Sequence, residues 1–293
     1  MATVSGAPEP RGERIEIDGR MMHVVRAGPR GEGLTVLLEA GSFGFSADWA
    51  VVQEQLAAKA IHSIAYDRAG MALSDPGPDP RDGLAIVTDL EKLLAAIGEL
   101  GPFVVVGHSM AGLHIHLFAA RNPDKVAGLV FVDAVTPELS ADPWVHRGTV
   151  HYVRFSRAAA WAASKGLLKP LSPLADQIGL PSTPARHKRW AFADVAHNRV
   201  SAEEVVQWDA SAAQGAAAGA LDPSWPVAVI LAGRERGPAP QRRLLAEPAR
   251  RSRRGYQERV ARASHASLLG RRYAEAVVRG IVHVRDAAME RGV

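Results

Sequence analysis

The chain has 293 residues, 47% of them hydrophobic, and a formal net charge of only +4, so it can bury a full core and is neither a polyelectrolyte nor a disordered polar segment. It contains no cysteine, which rules out disulfides, thiolate metal sites and a cysteine nucleophile and suits a cytoplasmic location. Residues 1–13 mix prolines with charges and lack an apolar run; the expectation is a flexible N-terminus rather than a signal peptide. No later stretch reaches the ~18 apolar residues of a membrane span.

In chain order, apolar runs predict strands at Arg14–Ile17 and Met22–Arg26, Thr35–Ala40, Ser63–Tyr66, Phe103–Gly107, Gly128–Asp133, Val227–Ala232 and Tyr256–Ala261. Between them, Ala47–Ala60, Asp82–Leu100, Met110–Asn122, Pro240–Glu247 and Leu268–Met289 carry apolar residues at helical spacing. The alternation implies an α/β fold: a mostly parallel sheet flanked by helices, built from residues 14–135 and 226–293, with ligands gathering at the carboxyl ends of the strands. Residues 136–225 break the rhythm with several helical pieces and hold five of the six tryptophans, Trp144, Trp161, Trp190, Trp208 and Trp225. A helical cap inserted between strands six and seven is the expected organisation. Late arginines such as Arg242, Arg243, Arg250 and Arg251 have no aromatic residues among them, so they read as a solvated helix and not as a nucleic-acid surface.

One stretch carries chemistry. In Phe103-Val104-Val105-Val106-Gly107-His108-Ser109-Met110-Ala111-Gly112 a single serine stands between an apolar strand and an apolar helix. The chain must reverse within about four residues, which small residues at 107, 111 and 112 permit. Ser109 is then held at the carboxyl edge of the sheet, with the Met110 amide at the start of a helix. The stretch resembles the G-x-S-x-G nucleophile elbow of the α/β-hydrolase fold, with Ala111 in place of the last glycine, and the likeness extends over roughly residues 14 to 290. The resemblance implies an α/β-hydrolase with a lid over its active site in the segment rich in tryptophan.

A serine hydroxyl needs a base and a group that orients the base. The resemblance puts the base in the loop after the last strand, where Ser264-His265-Ala266 stands, and so makes His265 the choice among eleven histidines. His108 adjoins the serine, but neighbours on a tight elbow point apart, so it is expected to pack or line the pocket. His114 and His116 fall on the following helix, and His146, His151 and His197 on the cap, where they could meet substrate. Hydrolases of this fold mostly carry the acid after the seventh strand in a turn of the type Gly-x-x-Asp. Here that turn reads Gly233-Arg234-Glu235-Arg236, so Glu235 would serve only if the turn is short. Asp133, at the end of the sixth strand and 24 residues past Ser109, resembles the acid of one branch of haloalkane dehalogenases and of pancreatic-type lipases. Asp133 is the first choice and Glu235 the alternative.

The oxyanion hole requires two donors. Met110 supplies one amide; Ser42, in Ala40-Gly41-Ser42-Phe43-Gly44 after the third strand, is expected to supply the other, with Gly41, Phe43, His108 and Trp144 in contact with substrate. Asp67-Arg68-Ala69-Gly70 resembles a stretch that braces these loops in the family. The expected function is a serine hydrolase of an ester, thioester or lactone, with a small-molecule substrate, no metal or organic cofactor, no nucleic-acid or membrane partner, and a monomeric or homodimeric state. A carbon–carbon hydrolase or lyase with the same triad, or a non-catalytic ligand-binding protein, is the alternative.

Overall fold

The computed structural model describes residues 9, 11–31, 33–234 and 239–292. Most of the expected flexible N-terminus, and Glu235, lie outside them. The elements run β1 (Glu13–Ile17), β2 (Arg20–Ala27), β3 (Thr35–Glu39), α1 (Ala50–Ala57), β4 (Ser63–Tyr66), α2 (Gly83–Ala96), β5 (Phe103–His108), α3 (Ala111–Arg121) and β6 (Val126–Val132). A helical insertion follows: α4 (Pro137–Ser140), α5 (Pro143–Ser164), α6 (Ser182–Ala193), α7 (Val195–Val206) and α8 (Trp208–Ala217). The chain then returns through β7 (Val227–Ala232), α9 (Ala239–Arg251), β8 (Gly255–Val260) and α10 (Ala274–Met289).

The strands form one sheet in the order β1-β2-β4-β3-β5-β6-β7-β8, antiparallel at β1 and β2 and parallel from β4 onward. β5 and β6 are buried at every residue, as continuous apolar runs in a sheet covered on both faces must be. One core lies between the sheet and α1 and α10, through residues such as Trp49 and Ile281. The other lies against α2, α3 and α9, through residues such as Leu90, Phe118 and Ala249. β1 closes one edge with Glu13, Arg14 and Glu16, charges that discourage further strand pairing.

Register is what positions the site. Glu39 of β3 pairs with Gly107 of β5, Gly107 with Phe131 of β6, and Phe131 with Val229 of β7. The carboxyl ends of four neighbouring strands therefore finish at one level, and the loops leaving them share one rim.

The last helix begins later than its apolar spacing predicts. Ala266–Leu269 form a 3₁₀ turn, after which Gly270 is extended, and α10 starts only at Ala274. Gly270 lies so close to Ile178 that a Cβ would sit 2.1 Å from its carbonyl oxygen. A long-range contact, invisible to local periodicity, sets that boundary.

Candidate active site

Ser109 adopts φ +59°, a left-handed backbone that costs a non-glycine residue about 1–3 kcal/mol. Its amide donates to Val132 O at 3.2 Å, and its carbonyl accepts from Gly112 N and Val135 N at 3.2 and 2.9 Å. Close packing explains the flanking glycines: a Cβ at Gly107 would lie 2.8 Å from Ala111 O, and one at Gly112 would lie 2.1 Å from Val135 O. Ala111, fully buried in the first turn of α3, fits where the motif ordinarily has glycine. Met110 is the N-cap of α3, so its amide belongs to the group of N–H donors that the helix itself cannot satisfy.

Asp133 follows β6 directly, also with positive φ, at +45°. Its amide donates to Ile230 O at 2.7 Å and its Oδ1 accepts from Ala232 N at 3.1 Å, so β7 fixes its orientation. Oδ2 accepts from His265 Nδ1 at 2.7 Å. Burial raises the Asp133 carboxyl, but the His265 hydrogen bond and charge and the Ala232 amide outweigh it and hold the group below the usual carboxylate value. His265 itself is half exposed, at the head of the 3₁₀ turn after β8. With Nδ1 committed to Asp133, its Nε2 is the nitrogen left for a serine hydroxyl.

His108 stacks on His265, ring centroids 4.4 Å apart at 34°, and its Nε2 donates to His265 O at 3.2 Å. Burial, and then the charge of His265, push it down to about 3, so the ring stays neutral at working pH. It is thus a wall for His265. His114 and His116 are held by Glu39 and by Gly219 O, whereas His146 and His151 are exposed on α5.

The loop after β3 is braced from beneath by buried charge. Arg68 donates to Ala40 O at 2.5 Å, to Gly41 O at 2.9 Å and to Glu39 at 2.7 Å, while its Nε and second terminal nitrogen grip Glu204 of α7 at 2.8 to 3.0 Å. Tyr66 donates to the other oxygen of Glu39. Burial disfavours the guanidinium charge, but Glu204 and Glu39 more than restore it and raise Arg68 above its ordinary value. Because a peptide is planar and trans, a Gly41 carbonyl aimed at Arg68 turns the Ser42 amide to the opposite side. Gly41 also abuts Ser109: a Cβ there would lie 2.8 Å from the serine Cβ. Arg68→Met, which leaves two buried carboxylates uncompensated, is expected to lower unfolding free energy by about 3–5 kcal/mol, measured by urea titration. Glu204→Gln, which leaves Arg68 paired to Glu39, should cost less, about 1.5–3 kcal/mol.

Beyond this loop opens a cavity of about 580 Å³ whose apolar walls include Phe43, Phe45, Tyr152, Phe155, Ala159 and Phe192. Phe43 turns into it from a left-handed backbone, φ +57°, and meets Tyr152 edge to face at 6.5 Å. Three polar residues also line it, each tied elsewhere. Lys188 pairs with Asp48 at 2.8 Å, His197 accepts from Ala72 N at 3.2 Å, and Asn198 donates to Asp194 O at 2.7 Å. Burial, then the Lys188 charge, push His197 down to about 3. Of the residues expected at the site, Ser42, Met110, Ser109, Asp133 and His265 come from one rim, Gly41 and His108 pack against them, and Phe43 lines the cavity. Trp144 does not: it is 66% exposed in the first turn of α5 and outside the cavity. Tyr152, Phe155 and Glu204 escape sequence reasoning; the only signal is the helical spacing of Tyr152, Phe155 and Ala159 along α5.

Residues 35–165 match the family model of the alpha/beta hydrolase fold. With this strand order and the turn at Ser109 after β5, the chain has the α/β-hydrolase fold. In sequence it is similar to an AB hydrolase superfamily protein of Gibberella zeae, 30% identical over 102 residues that make up 33% of this chain and 31% of that one. Matched segments span as little as 13% and no more than 46% of such curated relatives. In structure it resembles the enol-lactonase from Burkholderia xenovorans LB400, TM-score 0.65 at 19% identity, covering 94% of this chain and 100% of that one. It also resembles DBJA, TM-score 0.73 at 18% identity, covering 95% and 97%. At such identity these two likenesses speak for the fold alone. Among the described residues no helix is long and apolar enough to cross a membrane.

Proposed function

We propose that the chain is a serine hydrolase that cleaves an ester, thioester or lactone of a small, largely apolar substrate through an acyl-enzyme. The observation that carries this reading is the 2.7 Å hydrogen bond from His265 Nδ1 to Asp133, at the rim that also bears Ser109 on its left-handed turn. Ser109 Oγ attacks the carbonyl carbon while His265 Nε2 takes its proton; Asp133 keeps the ring in the matching tautomer and stabilises the imidazolium. The tetrahedral oxyanion accepts from the amides of Met110 and Ser42, each worth about 3 kcal/mol in comparable sites. His265 then returns the proton to the leaving alcohol or thiol, and water, activated by the same ring, releases the acid.

The apolar cavity reached past Phe43 accommodates the acyl or alcohol portion, and the helical insertion acts as the cap that selects it. With Lys188 paired and His197 neutral, nothing in that cavity favours a charged substituent. An alkyl fluorophosphonate tests the proposal: it should label the protein once, and peptide mass mapping should place the adduct on Ser109. An adduct elsewhere, or none on folded protein, would overturn the assignment.

A further inference from the structure

Twelve large apolar side chains stand exposed among the described residues, and seven of them fall between Trp144 and Leu174, about a tenth of the chain. Trp144, Phe155 and Trp161 project from α5; Leu167, Leu171 and Leu174 follow in the adjoining turns. α5 rests on α7 by a narrow stripe, its only buried residues being Thr149, Ser156 and Ala163, spaced by seven. Everything on its other side faces out.

The same stretch is purely cationic. Between residues 143 and 175 there is no aspartate or glutamate, while Arg147, Arg154, Arg157, Lys165 and Lys169 are all present. Among the described residues none of these five forms an ion pair. Seven of the twelve exposed large apolar side chains on one helix and the turns after it mark an interaction surface, so the face calls for an occupant. A second copy fits poorly: two-fold pairing would set five cations against the same five with no carboxylate between them. An anionic bilayer satisfies both halves of the pattern. Tryptophans and leucines enter the boundary between headgroups and acyl chains, and arginine and lysine stems bury their methylenes while their charges meet lipid phosphate.

We infer that α5 and the turns through Leu174 form a docking face for an anionic lipid surface, against the expectation from sequence that no membrane takes part. Phe155 belongs both to this face and to the wall of the apolar cavity, so a docked protein has its cavity open toward the lipid. The docking itself does not depend on the chemistry proposed for Ser109.

The test uses the full chain carrying Ser109→Ala, so that lipid hydrolysis cannot interfere. It should sediment with vesicles of phosphatidylcholine and phosphatidylglycerol, more weakly as salt rises, and far less with phosphatidylcholine alone. Replacing Arg147, Arg154 and Arg157 together by glutamine should lower partitioning on the order of 100-fold. Trp144→Ser with Trp161→Ser should remove a blue shift of tryptophan emission on binding. These side chains are exposed, so circular dichroism should match the parent. Three results would each overturn the inference: no sedimentation of folded protein with the anionic vesicles, sedimentation insensitive to both sets of variants, or a concentration-dependent dimer that the tryptophan variant abolishes.

Discussion

Ser109→Ala should reduce turnover of p-nitrophenyl butyrate on the order of 10⁶-fold, the size of loss seen when the nucleophile of a comparable triad is deleted. On the proposed mechanism the residual rate should come from the amides of Ser42 and Met110 and from binding, which the substitution leaves in place. Stability should be equal or slightly lower, because the alanine introduced there must hold the same positive φ without new contacts. His265→Ala should cost nearly as much, since the two act as a unit. A chain without Ser109 that still turns over the ester at a tenth of the native rate would move the nucleophile elsewhere.

Asp133→Asn is expected to lower turnover by about 10⁴-fold. The amide can keep the contact to Ala232 N through its oxygen, but its nitrogen then faces His265 Nδ1 and enforces the tautomer in which Nε2 carries a proton and cannot accept another. Loss should therefore fall on kcat with KM little changed. Glu235→Gln, by contrast, should alter turnover by less than about tenfold, because Glu235 is flanked by Arg234 and Arg236, which can pair with it in solution. Steady-state kinetics on the two variants side by side separates the acids, and the reverse pattern would move the role to Glu235.

What sequence reveals about this molecule follows the range of the interactions involved. Ser109 is legible because strand, turn and helix around it are encoded within ten residues. Asp133 is legible because strand ends are where a parallel sheet collects its chemistry. The grip of Arg68 on Glu204 joins residues 136 apart, and nothing near either one announces the other. Tryptophan is informative in the wrong sense: apolar bulk marks Trp208 and Trp225, which are buried, and Trp144 and Trp161, which are not. Local composition gives the size of a side chain but not the side of a helix on which its partner stands. For α5 that side is decided by Thr149, Ser156 and Ala163, small residues whose stripe attracts no notice in a hydropathy reading.

The clasp between Arg68 and Glu204 also divides the insertion into two regimes of inheritance. A mutation that shifts α7 pulls, through Arg68, on the carbonyls of Ala40 and Gly41 and so on the peptide that aims the Ser42 amide. A mutation at Tyr152 or Phe155, off the Thr149, Ser156 and Ala163 stripe that seats α5 on α7, reshapes the cavity while leaving that clasp closed. Under the hydrolysis proposed above, substrate choice can therefore be changed at those cavity positions, one residue at a time, without loosening the support beneath Ala40 and Gly41.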